Sequence, residues 1–186
     1  MAFIDFEKAF DSISRKILWP IFIFLMVLRV DCITALEVYM KARIRCGATF
    51  TDYTNCTRSV KQGKVCSPIV FSLFINELAL DIINNGRHGV SLSSDFVQLV
   101  ILLFADEIIL LFETVIGLQT QLNSLFSPAS RLQLKVNMNK SNIFVFRKGG
   151  YLGVRERWIY GDCMMKAMNS YKYLGICCWF FLFLNA

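Results

Sequence analysis

The sequence predicts one α+β domain built on a mostly antiparallel sheet, and three patterns lead to that expectation. Short apolar runs end in acidic or turn residues, as strands do. Longer stretches repeat apolar residues about every three to four positions, which is typical of helices with one buried face. Hydrophobic residues fill 55% of the 186 positions, and no repeat or linker interrupts them, so a single core is expected.

The N-terminal part of the chain is predicted to form a strand and two helices. Residues 1–6 form the strand, which runs into acidic Asp5. A helix follows over residues 14–28, and we expect Pro20 to break or restart it because proline lacks a backbone N–H. Asp31 is expected to cap the next helix. The apolar residues that share one face of that helix are Ile33, Leu36, Met40 and Ile44.

The middle of the chain predicts a polar strand–turn–strand over residues 49–60 and then a long helix. Ser67 and Pro68 favour a helix start, because serine caps an N-terminus and proline fits the first turn. The helix should end at Asn85 and Gly86. Its buried face should carry Phe71, Phe74, Leu78 and Ile82.

The C-terminal half predicts a hairpin, a helix and several short strands. Two apolar strands, residues 99–104 and 108–112, flank the connection Ala105-Asp106-Glu107. An amphipathic helix is expected over residues 114–126. The remaining strands are predicted at residues 143–146, 158–160 and 171–176, with a turn at Gly149-Gly150.

Composition narrows the possible classes of function. Seven cysteines without a C-x-x-C pair, and a single histidine, argue against a zinc site and a disulfide framework. No secretory signal is recognisable at the start, so nucleus or cytoplasm is the expected location. The apolar runs 17–28, 97–112 and 174–186 fall short of the roughly 20 uncharged residues of a membrane span, so a membrane is not expected as a partner. The net charge of +6 is compatible with nucleic acid but does not establish it.

The acidic pair Asp106-Glu107 is the most informative local feature, because like charges repel at the bend of an apolar hairpin. One interpretation is a solvated turn, where Asp is common. The other is a divalent-cation site, since carboxylates are ligands that Mg²⁺ accepts. If the strand that ends at Asp5 lies beside this hairpin, three carboxylates converge in an arrangement suited to two-metal phosphoryl transfer.

Five segments of the chain, in this order, resemble motifs A to E of reverse transcriptases from LINE-type (non-LTR) retrotransposons. They are FIDFEKAFDSI (3–13), VKQGKVCSPIVFSLFIN (60–76), LLFADEIILL (102–111), LKVNMNKSN (134–142) and SYKYLGI (170–176). The resemblance covers nearly the whole chain. It implies a polymerase palm-like fold, an antiparallel sheet with helices packed on one face, and RNA-directed DNA synthesis from an RNA template, a DNA primer and dNTPs.

The resemblance also implies a role for each matching residue. The catalytic metal ligands, which would hold two Mg²⁺ ions, match Asp5, Asp106 and Glu107. Phe10 would lie under the incoming sugar, and Gln62 and Gly63 would lie along the nucleotide and template. Lys140 would assist the leaving pyrophosphate. Tyr173, Leu174 and Gly175 match the family residues that contact the primer end.

The residues themselves leave structural alternatives open. Phe10 is also compatible with core packing, Lys140 with an ordinary surface position and Tyr173 with packing against the sheet. A set of basic residues around motif B suits either backbone phosphates or a solvated face. These residues are Arg43, Arg45, Arg58, Lys61 and Lys64.

Motif C departs from the family pattern, because Glu107 stands where a second Asp is usual. The extra methylene displaces the carboxylate, and a shift of about 1 Å can cost on the order of 10²-fold in rate. We expect residues 1–186 to form a single partial reverse transcriptase domain without fingers, thumb or endonuclease. We therefore expect inactive or strongly impaired catalysis. The competing hypothesis is a non-catalytic retrotransposon remnant that binds nucleic acid or another partner, or has no selected role.

Overall fold

The computed structural model describes residues 1–24, 29–39, 41–60, 65–85, 89–91, 98–146, 153, 156–168, 170–173 and 176–179. The helices are α1 (Ala9–Ser12), α2 (Arg15–Phe24), α3 (Val30–Tyr39), α4 (Ser67–Asn85) and α5 (Val115–Arg131). The strands are β1 (Ala2–Asp5), β2 (Arg45–Cys46), β3 (Thr49–Phe50), β4 (Val90–Ser91), β5 (Gln98–Leu99), β6 (Ile101–Phe104), β7 (Glu107–Leu110), β8 (Asn142–Phe144), β9 (Ile159–Tyr160), β10 (Cys163–Met164), β11 (Lys166–Met168), β12 (Ser170–Tyr173) and β13 (Ile176–Trp179).

The central sheet has five strands in the order β11-β8-β1-β7-β6. Its middle strand, β1, pairs antiparallel with β7 on one side and β8 on the other. The hairpin partner of β7 is β6, and β11 extends the sheet by pairing parallel with β8. The α+β class and the mostly antiparallel sheet are therefore confirmed, with one parallel pair at the edge.

Side chains alternate between the two faces of β1, as they must in an extended strand. On one face, Ile4 is buried in the main core together with residues of α4 and α5. On the other face, Phe3 packs with Ile109 and Phe144 in a smaller cluster. Tyr171 of β12 stacks on Phe3 there, with 4.0 Å between ring centroids. Helices thus pack on one face, as predicted, and β12 covers part of the opposite face.

The long helix α4 buries the face that the sequence predicts, because Phe71, Phe74, Leu78 and Ile82 expose none of their surface. Among the described residues, α4 also contains the one helical stretch long and apolar enough to cross a membrane, Ser67–Asn84. Inside the domain 44% of that stretch is buried, and α5 packs along it. Core packing therefore accounts for its apolar composition.

The helix α5 begins where the sequence predicts and ends later. The Thr114 side chain accepts a hydrogen bond of 3.0 Å from the Gly117 backbone N–H, which caps the N-terminus. The helix then continues past residue 126 to Arg131. Pro128 and Ala129 lie in this extension and are buried, so packing against the core stabilises the additional turn.

The prediction that Pro20 breaks the second helix is wrong. The helix α2 runs from Arg15 through Pro20 to Phe24. Leu18 and Phe22 are fully buried on its inner side, whereas Pro20 is exposed on the outer side. Burial of the inner face outweighs the loss of one backbone hydrogen bond.

Two further boundaries differ from the prediction. Asp31 lies inside the first turn of α3, where a carboxylate favours the helix dipole, and does not precede the helix as a cap. The polar hairpin forms earlier than residues 49–60, between β2 and β3, because Gly47 supplies the positive φ of 62° that the turn requires. Ile44 consequently lies outside α3 and is 69% exposed. Met40, Gly86 and Gly149-Gly150 lie outside the described residues.

Candidate functional site

The strand that ends at Asp5 lies beside the acidic hairpin, as the sequence predicts. The strands β1 and β7 pair antiparallel, and Asp5 is directly opposite Glu107. Residues opposite each other point to the same face of a sheet, so the two carboxylates are neighbours. This is the face that carries Phe3 and β12, because Asp5 follows Phe3 by two residues.

Asp106 lies in the tight turn that joins β6 to β7. Phe104 pairs with Glu107, so only Ala105 and Asp106 form the turn. Ala105 has a φ of 51°, in the left-handed region that residues with a side chain rarely adopt. The sequence placed Glu107 in the bend, and this detail is wrong because Glu107 begins β7. The acidic pair is therefore divided between a turn and a strand.

Three residues of the segment that resembles motif D surround Asp5. The Asp5 backbone N–H donates to Ser141 Oγ at 3.0 Å, and the Asn137 backbone N–H donates to the Asp5 carbonyl at 2.8 Å. Lys140 Nζ lies 3.8 Å from Asp5 Oδ2. The Asp5 side chain is 17% exposed and that of Lys140 is 70% exposed. Lys140 is thus both a surface residue and a partner of Asp5.

Burial and mutual repulsion perturb both paired carboxyls. Desolvation raises the pKa of Asp5, and the charge of Asp106 raises it further, while Lys140 and a hydrogen bond from Asn137 oppose the shift. Desolvation also raises the pKa of Glu107, and Asp106 and Asp5 act in the same direction. The site therefore favours anything that adds positive charge to it, whether a proton or a cation.

The donor set fits a hard cation, although the side chains do not gather around one in this structure. Glu107 Oε2 is buried, and no hydrogen-bond donor reaches it within the described part of the chain. A cation would satisfy such an oxygen. Among the described residues, no three His, Cys, Asp or Glu side chains are gathered closely enough to hold a metal ion. A metal site shared by Asp5, Asp106 and Glu107 therefore stays a prediction. In this arrangement Lys140 pairs with Asp5, and the charges of Asp106 and Asp5 both disfavour the ionised form of Glu107.

Two tyrosines of β12 border the carboxylates. The ring of Tyr173 lies 5.6 Å from that of Phe3, and Tyr171 OH donates to the Lys140 carbonyl at 3.4 Å. Desolvation raises the pKa of both tyrosines, and the charge of Glu107 adds to both shifts. The structure therefore brings Tyr173 to the site, whereas Leu174 and Gly175 lie outside the described residues.

Phe10 links motif A to the start of motif B. Its ring stacks on Phe71 of α4, with 4.5 Å between centroids, and its carbonyl accepts a 2.9 Å hydrogen bond from the Val60 N–H. Phe10 is half-buried, so it packs against the core while part of its surface remains accessible. Gln62 and Gly63 lie outside the described residues.

A polar cavity of about 670 Å³ opens beside the Asp5–Lys140 pair. The acidic side chains in its wall are Glu7 and Asp11. The basic side chains in its wall are Lys8, Arg58, Lys135 and Lys140. Cations outnumber carboxylates, so the cavity suits an anionic ligand.

A sequence profile described as reverse transcriptase (RNA-dependent DNA polymerase) matches residues 1–178. The chain belongs to the reverse transcriptase family. Members of this family use divalent metal ions and bind a nucleic-acid template, a primer and dNTPs. No curated protein matches the chain closely enough to add a named relative.

Within this reverse transcriptase domain, sequence reasoning overlooked the residues that position Asp5. Asn137 and Ser141 both lie in motif D, from which only Lys140 was selected. The polar residues between Val136 and Ile143, just before and at the start of β8, were an available signal. Tyr171, which the sequence did not single out, also contacts this segment, because its hydroxyl donates to the Lys140 carbonyl.

Proposed function

We propose that the chain is the palm of a LINE-type reverse transcriptase and that Asp5, Asp106 and Glu107 form its two-metal nucleotidyl-transfer site. The observation that carries this proposal is the direct opposition of Asp5 and Glu107 next to the Asp106 turn. Asp106 lies in the turn that adjoins this pair, and the buried Glu107 Oε2 lacks a donor among the described residues. Such a site is costly unless a cation binds. The order and composition of motifs A to E support the LINE-type assignment.

Each part of the site has a task in primer extension. Bound Mg²⁺ would activate the primer 3′-OH and stabilise charge on the leaving phosphates. Asp5, Asp106 and Glu107 would hold the ions, and Asn137 and Ser141 fix the backbone of Asp5. Lys140 has two possible anionic neighbours, the Asp5 carboxylate and a phosphate in the adjacent cavity. Its ammonium group could donate a proton to the leaving pyrophosphate or stabilise the negative charge that develops on it.

The β2–β3 hairpin offers a second type of contact for a nucleic-acid strand. The Arg43 guanidinium lies 4.1 Å from the Phe50 ring centroid and 5.1 Å from that of Tyr53. Phe50 and Tyr53 are 51% and 61% exposed. Exposed aromatic rings beside arginines suit unpaired bases and backbone phosphates. This favours nucleic acid over a solvated charged face as the partner of these arginines.

Glu107 should limit the rate of this enzyme. Glu107 is the first residue of β7 and lies opposite Asp5. Its side chain is one methylene longer than that of the Asp that is usual there. The carboxylate would therefore lie away from the position in which an Asp would hold the ions. The expected loss is on the order of 10²-fold.

The test is primer extension by a chimera in which this chain replaces the matching segment of an active LINE-type reverse transcriptase. Asp106→Asn should reduce incorporation by on the order of 10³-fold or more, because it removes a metal ligand worth several kcal/mol. Asp162→Asn is the matched control, since Asp162 is an exposed carboxylate outside the site. An Asp106→Asn chimera as active as the Asp162→Asn chimera would refute the metal site.

Glu107→Asp tests whether the longer side chain of Glu107 causes the expected loss of polymerase activity. It should increase incorporation by roughly 10- to 100-fold over the unmodified chimera, because the shorter side chain restores the ligand position. If the chimera binds primed RNA but neither version extends it, the chain is the non-catalytic nucleic-acid-binding remnant.

A further inference from the structure

Ser59 has an unusual backbone conformation next to the polar cavity. Its φ is 82°, in the left-handed region that residues with a side chain rarely adopt. Of the other described non-glycine residues with a positive φ, Lys8 and Gln133 line this cavity, and Ala105 lies in the β6–β7 turn. Backbone strain of this kind clusters at binding and catalytic sites, and it persists only where the surroundings hold it. The conformation of Ser59 therefore indicates a role in the candidate site.

The contacts of Ser59 explain how the strained conformation is held. All three of its hydrogen-bonding groups bind residues 11–15, where α1 ends and α2 begins. The Ser59 N–H donates to the Ile13 carbonyl at 3.0 Å, and the Ser59 carbonyl accepts from Arg15 Nε at 3.1 Å. The Ser59 hydroxyl donates to Asp11 Oδ1 at 3.3 Å. A change to a negative φ would turn the backbone groups away from these partners, so the bonds stabilise the left-handed form.

The residues on either side of Ser59 reach two parts of the candidate site. Arg58 lines the polar cavity, and its Nη2 donates to Oε1 of Gln133, which also lines it, at 3.0 Å. On the other side, the N–H of the fully buried Val60 donates to the Phe10 carbonyl at 2.9 Å. A backbone torsion rotates all that follows it relative to all that precedes it. The φ of Ser59 therefore sets where Arg58 lies relative to Phe10.

We propose that Ser59 is a positioning residue for the incoming nucleotide, and that it acts by fixing the placement of Arg58 in the cavity wall relative to Phe10. Asp11 also lines the cavity, and the Ser59 hydroxyl holds its carboxylate. This role rests on the proposed polymerase function, in which Phe10 would lie under the incoming sugar and a phosphate would occupy the cavity. Ser59 needs no contact with the nucleotide, because it acts through its neighbours.

Three replacements of Ser59 separate its backbone conformation from its side chain. Ser59→Gly loses the hydroxyl, but glycine accepts a φ of 82° without steric cost. Ser59→Ala loses the same hydroxyl and keeps the steric cost. Ser59→Val introduces a β-branched side chain, for which a positive φ is least favourable. Thr57→Val is the matched control, because Thr57 lies two positions earlier, is exposed and has no positive φ.

Urea unfolding and amide hydrogen exchange of the full chain test the conformation without any activity. Ser59→Gly should unfold at a higher urea concentration than Ser59→Ala, because the relief of strain exceeds the flexibility that glycine adds to the unfolded chain. The Val60 amide should exchange about tenfold faster in Ser59→Val than in Thr57→Val, because its bond to the Phe10 carbonyl is lost. A Ser59→Ala chain as stable as Ser59→Gly would overturn the proposal.

Nucleotide binding is measured in the primer-extension chimera on a primer that ends in a dideoxynucleotide, so that no chemical step is required. Ser59→Val should weaken dNTP binding about tenfold, and Ser59→Ala about threefold, which keeps the test available if the valine variant does not fold. Ser59→Gly and Thr57→Val should bind dNTP within about twofold of the unmodified chimera. The affinity for primed RNA alone should not change. A merely structural role would weaken the binding of RNA and dNTP alike.

The outcomes separate this role from the polymerase proposal. If Ser59→Val and Ser59→Ala bind dNTP as tightly as Thr57→Val, the positioning role is refuted and the polymerase proposal stands. If Ser59→Gly loses dNTP binding, the role is also refuted, because glycine keeps the backbone conformation. A chimera that neither extends a primer nor binds dNTP in any version refutes the polymerase proposal and this role with it.

Discussion

The two faces of the central sheet use the same strands for opposite purposes. Facing the helices, Ile4 and Ile108 are 2% and 1% exposed and belong to the main core. On the face towards β12, Asp5 lies opposite Glu107, and each is the immediate sequence neighbour of one of these isoleucines. Because side chains alternate along a strand, a single residue step separates the face that stabilises the fold from the face proposed to bind metal ions.

The energetic character of the two faces differs accordingly. Each large apolar side chain buried on the helix face contributes about 1.5–3 kcal/mol relative to exposure. On the other face, desolvation raises the pKa values of Asp5 and Glu107, so their charged forms oppose folding. The fold tolerates this cost because β1 and β7 are held by the core behind them. We expect variants on the two faces to change stability in opposite directions.

The largest effect should come from the helix face. Phe74 of α4 is completely buried, so Phe74→Ala should lower the free energy of unfolding by about 3–5 kcal/mol, through lost burial and the cavity left behind. Urea unfolding followed by circular dichroism measures this. Ile69→Ala is the control, because Ile69 is 63% exposed on the same helix and should change stability by no more than about 0.5 kcal/mol. Equal losses for the two variants would contradict the assigned core.

On the carboxylate face, Glu107→Gln should stabilise the metal-free chain by about 1 kcal/mol while it abolishes activity in the chimera. The amide removes the repulsion from Asp5 and Asp106 and can donate a hydrogen bond to a neighbouring carboxylate. Glu113→Gln should not stabilise, because Glu113 accepts a 2.8 Å hydrogen bond from the Ser91 N–H. Thermal unfolding in EDTA compares the two. A destabilised Glu107→Gln protein would mean that the carboxylate already has a favourable partner.

The pH dependence sharpens the same comparison. The ordinary pKa values of Asp5 and Glu107 are 3.8 and 4.5, and burial raises both in the folded protein. The folded state therefore keeps protons that the unfolded chain has released, and the stability they contribute is present in acid and lost as pH rises through the raised values. The chain should lose stability relative to Asp5→Asn/Glu107→Gln from about pH 4 towards neutral in EDTA. A stability difference between the two proteins that does not change with pH would rule out the raised pKa values.

The smallest change in stability should come from the turn that joins β6 to β7. Ala105 adopts a φ of 51°, which glycine accepts without steric cost. Ala105→Gly should raise the free energy of unfolding by about 0.5 kcal/mol, the net of relieved strain and added flexibility in the unfolded chain. Chemical unfolding checks the sign. A loss of stability would show that the turn is not strained.

The sequence by itself determined the local features of this protein. The apolar spacing of Phe71, Phe74, Leu78 and Ile82 predicted the buried face of α4, because helical periodicity depends only on nearby residues. The motifs likewise predicted the reverse transcriptase family and selected Asp5 and the acidic pair. The predicted helix boundary at Pro20 was wrong, because burial of the inner face of α2 outweighed the local preference of proline to break a helix.

Only the tertiary structure decided how these features meet. Asp5 and Ser141 are 136 positions apart, yet the Asp5 N–H donates to Ser141 Oγ because β1 pairs with β8. Strand pairing also placed Glu107 opposite Asp5 and removed it from the bend. Pairing between distant strands is set by the burial of a whole sheet face, a property that no short stretch of sequence contains.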